Sequence, residues 1–285
     1  MRKQKINILV AHSLEAKPLI KQFGLLKVFS KGEPPIPGLE QTYMNEDGVV
    51  LLVTGMGKSA MTQGVQTLYR WQLEYLGLEP GLAAIWINIG IAGHRIAELG
   101  SGYLAHKIVD QETGECCYPG MLIEGFETSE VCTVDKPETV YLRLAVYDME
   151  AAAFYRGASE YSSSEFIQCF KIISDNLATP IDRFKPESVF ALIASHGESI
   201  AKLLKQLLKL ADEFDRAYAL PKEYKELQRN YSLSVSHQQK ILRLCQRYYA
   251  LSKKHELTSV CSQKFSNARE LVIGLEAGLA PPETE

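Results

Sequence analysis

Ile87-Asn88-Ile89-Gly90-Ile91-Ala92-Gly93 joins a β-branched apolar run to two closely spaced glycines. It continues an apolar run from Ala83, and a short run of this kind predicts a buried parallel strand over residues 83–89. The glycines at its end predict a turn over residues 90–93, where a backbone without Cβ atoms can closely approach a ligand. Ligand sites in open α/β sheets form at such strand ends. We therefore expect a ligand site beside this turn.

Similar apolar runs alternate with helical patterns on both sides of this stretch. They predict strands over 6–11, 49–54, 104–109, 131–134, 142–146 and 166–173, and helices over 14–23, 60–76 and 150–160. Ser13 is the expected N-cap of the first helix, and residues 111–130 are expected to be irregular. Strands alternating with helices predict an α/β fold with a central mixed, largely parallel sheet flanked by helices.

The strand pattern stops after Pro186. Apolar residues at helical spacing predict helices over 187–214, about 222–231, 234–255 and 266–275. We therefore expect an α/β domain over residues 1–213 and a helical C-terminal extension over residues 214–285, with a disordered tail from Ala280 to Glu285. The extension is expected to pack on its own domain or on a dimer partner, or to serve as a lid or a partner-docking module.

Composition and charge exclude several functional classes. The 285 residues are 46% hydrophobic and 23% charged, as in ordinary globular proteins. A net charge of −3 gives no electrostatic case for nucleic acid or an anionic membrane as a partner. No apolar run can span a bilayer, and the N-terminal run is too short for a signal peptide. The six cysteines lack metal-site spacing, and we expect reduced thiols in a cytoplasmic protein.

Three acidic segments are candidates for chemistry. Asp148-Met149-Glu150 opens an alanine-rich predicted helix, Ser174-Asp175 closes a β-branched run, and Glu15 lies in the first turn of the first predicted helix. Each acid also has a purely structural explanation, because helix N-termini favour acids and strands commonly end in them. Acids delivered to one sheet edge from different elements suggest that one binds the substrate and another transfers a proton.

Five segments of the chain, taken in order, resemble the purine nucleoside phosphorylase/nucleosidase superfamily. The likeness is strongest to its hydrolytic branch, the methylthioadenosine/S-adenosylhomocysteine nucleosidases and futalosine hydrolases. The segments that carry it are 6–19, 53–58, 87–93, 148–150 and 173–175. The resemblance implies a nucleoside phosphorylase-like fold, a purine or 5′-modified purine nucleoside as substrate, and no metal or organic cofactor. We also expect a homodimer or higher homo-oligomer.

The resemblance implies a role for each candidate. Glu15 would activate water, and Asp175, oriented by Ser174, would protonate the base at N7. Met149 would pack under the ribose, and Glu150 would accept hydrogen bonds from its 2′- and 3′-hydroxyls. The remaining substrate contacts are expected at Gly57, Ala92, Gly93 and Val134.

The sequence departs from the family pattern in three places. Ile91 stands where the family often has Ser or Thr, and residues 55–59 contain no arginine for a phosphate. The nearest cations, Lys58 and His12, are more simply explained as a surface lysine and a strand-end histidine, so the pattern favours hydrolysis. The segment between Gly93 and Asp148 is shorter than the corresponding segment of the family. This implies that a crossover helix, and perhaps a strand, is missing. A phosphorolytic enzyme and a non-catalytic nucleoside-binding protein remain open as alternatives.

Overall fold

The structure is a computed structural model that describes residues 6–30, 34–77, 84–180, 187–218 and 221–279. The chain clusters into two compact units, Met1–Asp215 and Arg216–Glu285. The division into domains at residues 1–213 and 214–285 stays a prediction. The predicted disordered tail at residues 280–285 lies outside the described residues.

The first unit is built on one mixed sheet. Its strands are β1 (Ile6–Val10), β2 (Leu26–Lys27), β3 (Thr42–Met44), β4 (Val49–Val53), β5 (Ile85–His94), β6 (Gly102–Asp110), β7 (Cys116–Cys117), β8 (Thr128–Thr133), β9 (Val146–Asp148) and β10 (Ile167–Asp175). The strand order is β10-β6-β8-β9-β5-β1-β4-β3-β2, and β10 also pairs with β5. Strands β5, β10, β6, β8 and β9 therefore pair in a ring, and the other main strands extend the sheet from β5.

Helices cover both faces of this sheet. They are α1 (Ser13–Phe23), α2 (Lys58–Leu76), α3 (Ala151–Ala158), α4 (Glu187–Ser195) and α5 (Gly197–Tyr218). The apolar sides of α2 and α3 share one core with the sheet, and those of α1, α4 and α5 share another. Burial of these apolar stripes stabilises the fold because it removes hydrocarbon from water. The expected α/β fold, with a mixed sheet flanked by helices, is confirmed.

The second unit is helical. Its helices are α6 (Lys222–Asn230), α7 (Val235–Ala250), α8 (Lys254–Cys261) and α9 (Ala268–Ala277). They enclose a separate core that includes Leu227, Ile241, Tyr248, Leu257 and Leu271. The single helix predicted over 234–255 is wrong, because the chain turns at Leu251-Ser252, where Ser252 has a φ of 57°. None of the helices in the described ranges has the length and hydropathy that a bilayer span requires.

The predicted N-cap of α1 is also wrong. His12, not Ser13, has the extended backbone of a capping residue, and its Nδ1 accepts a hydrogen bond from the Leu14 N–H at 3.2 Å. The Glu15 carboxylate in turn accepts the His12 N–H at 2.9 Å. This reciprocal pair begins the helix one residue earlier than serine propensity suggests.

The turn predicted over residues 90–93 is a strand, because β5 continues to His94. Residues 86–93 pair with β10, and Gly93 and His94 pair with β9. The strand predicted over 142–146 is likewise wrong, since β9 starts only at Val146. Residues 111–130, predicted to be irregular, contain β7 and the start of β8, both paired with β6. Pairing with strands distant in sequence decides each of these cases.

Candidate active site

The carboxyl ends of β1, β5, β8, β9 and β10 surround a cavity of about 220 Å³. Its lining contains almost every residue that the sequence predicts for the site: Glu15, Ala92, Gly93, Val134, Met149, Glu150, Ser174 and Asp175. The remaining one, Gly57, donates its N–H to Glu150 Oε1 at 2.6 Å. The structure thus brings all the predicted positions together.

Glu15 lies at the junction of β1 and α1, and only 4% of its surface is exposed. Its Oε2 accepts the N–H groups of Ala11 at 3.0 Å and His12 at 2.9 Å, and its Oε1 accepts that of Ile91 at 2.9 Å. A Cβ atom at Gly90 would lie 2.9 Å from Glu15 Oε1, so glycine leaves room for this carboxylate. Burial raises the pKa of Glu15 despite these donors.

Glu150 lies where β9 leads into α3, with its Oε1 on the Gly57 N–H. Gly57 has a φ of 89°, a conformation that favours glycine, and it begins α2. Burial, followed by the negative charge of Asp148, raises the pKa of Glu150 to about 7. Met149, between the two acids, also faces the cavity. The segment therefore presents a carboxylate acceptor and an apolar side chain to the same ligand.

Asp148 is a structural anchor of this segment. It accepts hydrogen bonds from Thr133 Oγ1 at 2.7 Å and from the N–H groups of Ala151 and Glu150 at 2.8 and 3.2 Å. These bonds tie β9 to β8 and satisfy N–H groups at the start of α3. The carboxylate holds the position of Glu150 through the backbone between them.

Asp175 ends β10 and is 2% exposed. Its Oδ1 accepts a hydrogen bond from Ser174 Oγ at 2.6 Å, and its Oδ2 accepts one from the hydroxyl of Tyr141. A Cβ atom at Gly93 would lie 2.8 Å from Asp175 Oδ2. Glycine at this position of β5 is therefore required for the carboxyl group to lie against the neighbouring strand.

Lys171 is a member of the site that sequence reasoning missed. Its side chain is 1% exposed, and its Nζ lies 2.7 Å from Asp148 Oδ2. Burial alone would lower the pKa of Lys171, but the charges of Asp148 and Glu150 outweigh it, so the pKa is raised and the ammonium stays charged. The signal was a lysine inside the apolar strand β10, because buried lysines are almost always paired.

Tyr141 and Tyr147 were missed as well. Both line the cavity, with ring centroids 5.4 Å apart in an edge-to-face arrangement. Tyr141 lies in residues 134–145, an irregular connection without a periodic pattern that joins the parallel strands β8 and β9. No sequence signal pointed to it.

The buried charges make the cavity electrically negative. Glu15, Glu150 and Asp175 line it, and the Lys171 ammonium compensates the neighbouring Asp148. Such a site favours a ligand that is neutral or that develops positive charge. Among the described residues, no group of three or more His, Cys, Asp or Glu side chains is placed to hold a metal ion.

Solved structures that are similar to this chain include nucleosidases. A 5′-methylthioadenosine/S-adenosylhomocysteine nucleosidase from Colwellia psychrerythraea in complex with adenine has 16% identity and a TM-score of 0.52, over 72% of this chain and 96% of that one. The nucleosidase of Chlamydia trachomatis has 19% identity and a TM-score of 0.52, over 72% of this chain and 99% of that one. The 5′-methylthioadenosine nucleosidase of Arabidopsis thaliana has 14% identity and a TM-score of 0.53, over 73% of this chain and 97% of that one.

No protein-family model and no curated protein sequence matches the chain. At 14–19% identity, the likeness to these structures establishes the fold, which is that of the 5′-methylthioadenosine/S-adenosylhomocysteine nucleosidases.

Proposed function

We propose that the protein hydrolyses the N-glycosidic bond of a purine or 5′-modified purine nucleoside. The observation that carries the proposal is the single cavity that Glu15, Glu150 and Asp175 line together. The fold supports it, because the solved structures similar to this chain include nucleosidases, one of which holds adenine. The substrate is therefore a small-molecule nucleoside whose base is released.

Glu150 and Met149 bind the sugar. The Glu150 carboxylate is anchored through Oε1 by the Gly57 N–H, which leaves Oε2 available to ribose hydroxyls. Met149 offers an apolar side chain beside it in the cavity lining. As the glycosidic bond breaks, the sugar becomes an oxocarbenium-like cation, and the negative charge of this site stabilises it.

Asp175 and Glu15 divide the proton transfers. Asp175 takes up a proton from solvent when the nucleoside binds and gives it to a ring nitrogen of the base, so the bond to C1′ breaks with its electron pair leaving on a neutral base. A water molecule adds its oxygen to C1′, and Glu15 takes the proton that the water loses. Ser174 orients Asp175 through the bond to Oδ1, and backbone N–H groups hold Glu15. We propose that Gly57, Ala92, Gly93 and Val134 complete the substrate contacts.

Water suits this cavity better than phosphate as the nucleophile. A phosphate dianion would face the Glu15 and Glu150 carboxylates, and like charges at close range are costly. Lys58 is occupied elsewhere, since its Nζ lies 2.7 Å from Asp110 and 2.8 Å from Asp135. Ile91 contributes an apolar side chain where a hydroxyl could have bound an anion, and its N–H is already bonded to Glu15.

We also propose a cytoplasmic homodimer. All six cysteines are free thiols, which suits a reducing compartment. Val140, Leu142 and Leu144 are exposed on the connection beside the cavity, and a second copy would remove their apolar surface from water. Cell fractionation tests the compartment, and light scattering at micromolar concentration tests the dimer. A monomeric mass would contradict the dimer.

A panel of nucleosides, assayed for base release with and without phosphate, tests the reaction. Adenosine, inosine and 5′-methylthioadenosine vary the base and the 5′ group. The proposal predicts release of a free base at a rate indifferent to phosphate. Release that requires phosphate would indicate a phosphorylase instead, and purine binding without cleavage would indicate a non-catalytic binding protein.

A further inference from the structure

Asp175 has a donor on each of its carboxyl oxygens. Ser174 Oγ donates to Oδ1 at 2.6 Å, and the Tyr141 hydroxyl donates to Oδ2. Burial raises the pKa of Tyr141, and its hydrogen bond to Asp175 raises it further, so the hydroxyl keeps its proton and acts as the donor. The carboxyl group that must face the base therefore has its second oxygen occupied by a side chain of the protein itself.

The ring of Tyr141 fills the space at this end of the cavity. Only 2% of the residue is exposed. Its hydroxyl lies 2.6 Å from where a Cβ atom of Gly93 would be, so the ring rests directly on β5 beside Asp175. The ring of Tyr147 packs against it in an edge-to-face arrangement. A base that reaches Asp175 Oδ2 must take the place of this hydroxyl.

The backbone at Tyr141 is in a conformation suited to a movable element. Its φ is 49°, in the left-handed region that costs a bulky residue energy, and such positions cluster at ligand clamps and switches. Its neighbours Val140 and Leu142 are 62% and 74% exposed, so Tyr141 is the inward-pointing side chain of this stretch.

Side chains also hold this stretch in place. The Glu138 carboxylate accepts the N–H groups of Thr139 and Val140, both at 2.9 Å, and the Tyr147 hydroxyl accepts that of Arg143 at 2.9 Å. The two Glu138 contacts are exposed, and exposed contacts open at a low free-energy cost compared with the strands around them.

We propose that Tyr141 is a gate at the leaving-group end of the site: its hydroxyl donates to the Asp175 carboxylate in the resting protein. On binding, Asp175 takes up a proton from solvent and donates it in a hydrogen bond to a purine ring nitrogen, which displaces the hydroxyl. The inference rests on the proposed function, because it names the group that competes with the base for Asp175. When a ligand binds only the open state, its apparent affinity is the affinity of that state multiplied by the fraction of molecules that are open. A base that cannot form its own hydrogen bond to Asp175 in place of the tyrosine therefore binds with lower affinity.

Tyr141→Phe tests the gate, because it keeps the ring and removes only the hydroxyl. A hydrogen bond to a charged group contributes enough that its loss should tighten the binding of free adenine about tenfold in isothermal titration calorimetry. The value of kcat/KM for a cleaved nucleoside should rise by a similar factor, since it includes the opening step. Tyr155→Phe is the matched control, because it removes the hydroxyl of a tyrosine whose partner is the Tyr118 carbonyl, outside the cavity lining.

Three results would overturn the gate: unchanged or weaker adenine binding by Tyr141→Phe, no adenine binding by either protein, or a loss of turnover of about 100-fold. The last would make Tyr141 a proton relay between Asp175 and the base. These results are distinct from failure of the proposed function. If the wild type cleaves no nucleoside but Tyr141→Phe still binds adenine about tenfold more tightly, hydrolysis fails and the gate stands. If the wild type cleaves nucleosides and Tyr141→Phe does not gain affinity, the gate fails alone.

Discussion

Lys171 Nζ lies 2.7 Å from Asp148 Oδ2 in the protein interior, where the two side chains are 1% and 0% exposed. A buried ion pair of this kind is a poor source of net stability, but removal of one partner leaves an uncompensated charge in a medium of low polarity. Because Asp148 also positions Glu150, the pair links the stability of the fold to the geometry of the site.

Lys171→Met should lower the free energy of unfolding by about 3–5 kcal/mol, since it leaves Asp148 buried without its cation. Urea denaturation measures the change. The control is Lys107→Met, which breaks an ion pair of similar length, 2.8 Å, between side chains that are 29% and 22% exposed. That variant should lose much less stability, because solvent screens an exposed pair. Adding Asp148→Asn to Lys171→Met should restore part of the loss, and a further loss of similar size would contradict the assignment.

Asp175→Asn should reduce turnover by about 10²–10⁴-fold, because asparagine has no proton to give to the leaving base. Base release under saturating nucleoside measures the effect, and thermal denaturation checks that the fold is retained. Asp110→Asn is the matched control: Asp110 is equally buried at 2% exposure, but it pairs with Lys58 and Arg156 outside the cavity lining. Equal turnover in the two variants would remove Asp175 from the mechanism.

Glu15→Gln should also reduce turnover by about 10²–10⁴-fold, because the amide cannot accept a proton from water. Its affinity for free adenine should stay near that of the wild type, since Glu15 contributes to the water step and not to holding the base. Calorimetry and a base-release assay on the same preparation separate the two effects. A variant that loses adenine binding and turnover together would place Glu15 in substrate binding instead.

The pH dependence of kcat/KM should report the buried glutamates. Both Glu15 and Glu150 act as carboxylates, and burial raises the pKa of each, that of Glu150 to about 7. The acid side of the profile should therefore fall as the pH drops through about 7, well above the 4.5 of an ordinary glutamate. Asp148→Asn should move this midpoint to lower pH, because the charge of Asp148 contributes to the shift. A midpoint near 4.5 in the wild type would contradict the assigned roles.

The sequence predicted the acids of the site because their placement follows from local rules. Glu15 follows the first strand, and Asp175 ends the last strand of the sheet. Carboxyl ends of parallel strands meet at one edge, so short apolar runs followed by acids are enough to predict that these residues converge.

The features that the sequence did not predict depend on contacts between segments that are distant along the chain. Residues 90–93 are a strand because β5 pairs with β10 and β9, and glycine propensity alone favours a turn there. Tyr141 reaches Asp175 from an irregular connection whose course no periodic pattern encodes. Lys171 did carry a signal, since a charged residue within an apolar strand requires a buried partner.

Hydrolysis in water labelled with heavy oxygen distinguishes water from phosphate as the nucleophile. The purified protein is incubated with 5′-methylthioadenosine, adenosine and inosine in labelled water that contains phosphate, and the sugar product is analysed by mass spectrometry. Hydrolysis of the N-glycosidic bond should release a free base and a free sugar that carries the labelled oxygen at C1. A pentose 1-phosphate as the product, or no release of base from any of these nucleosides, would contradict it.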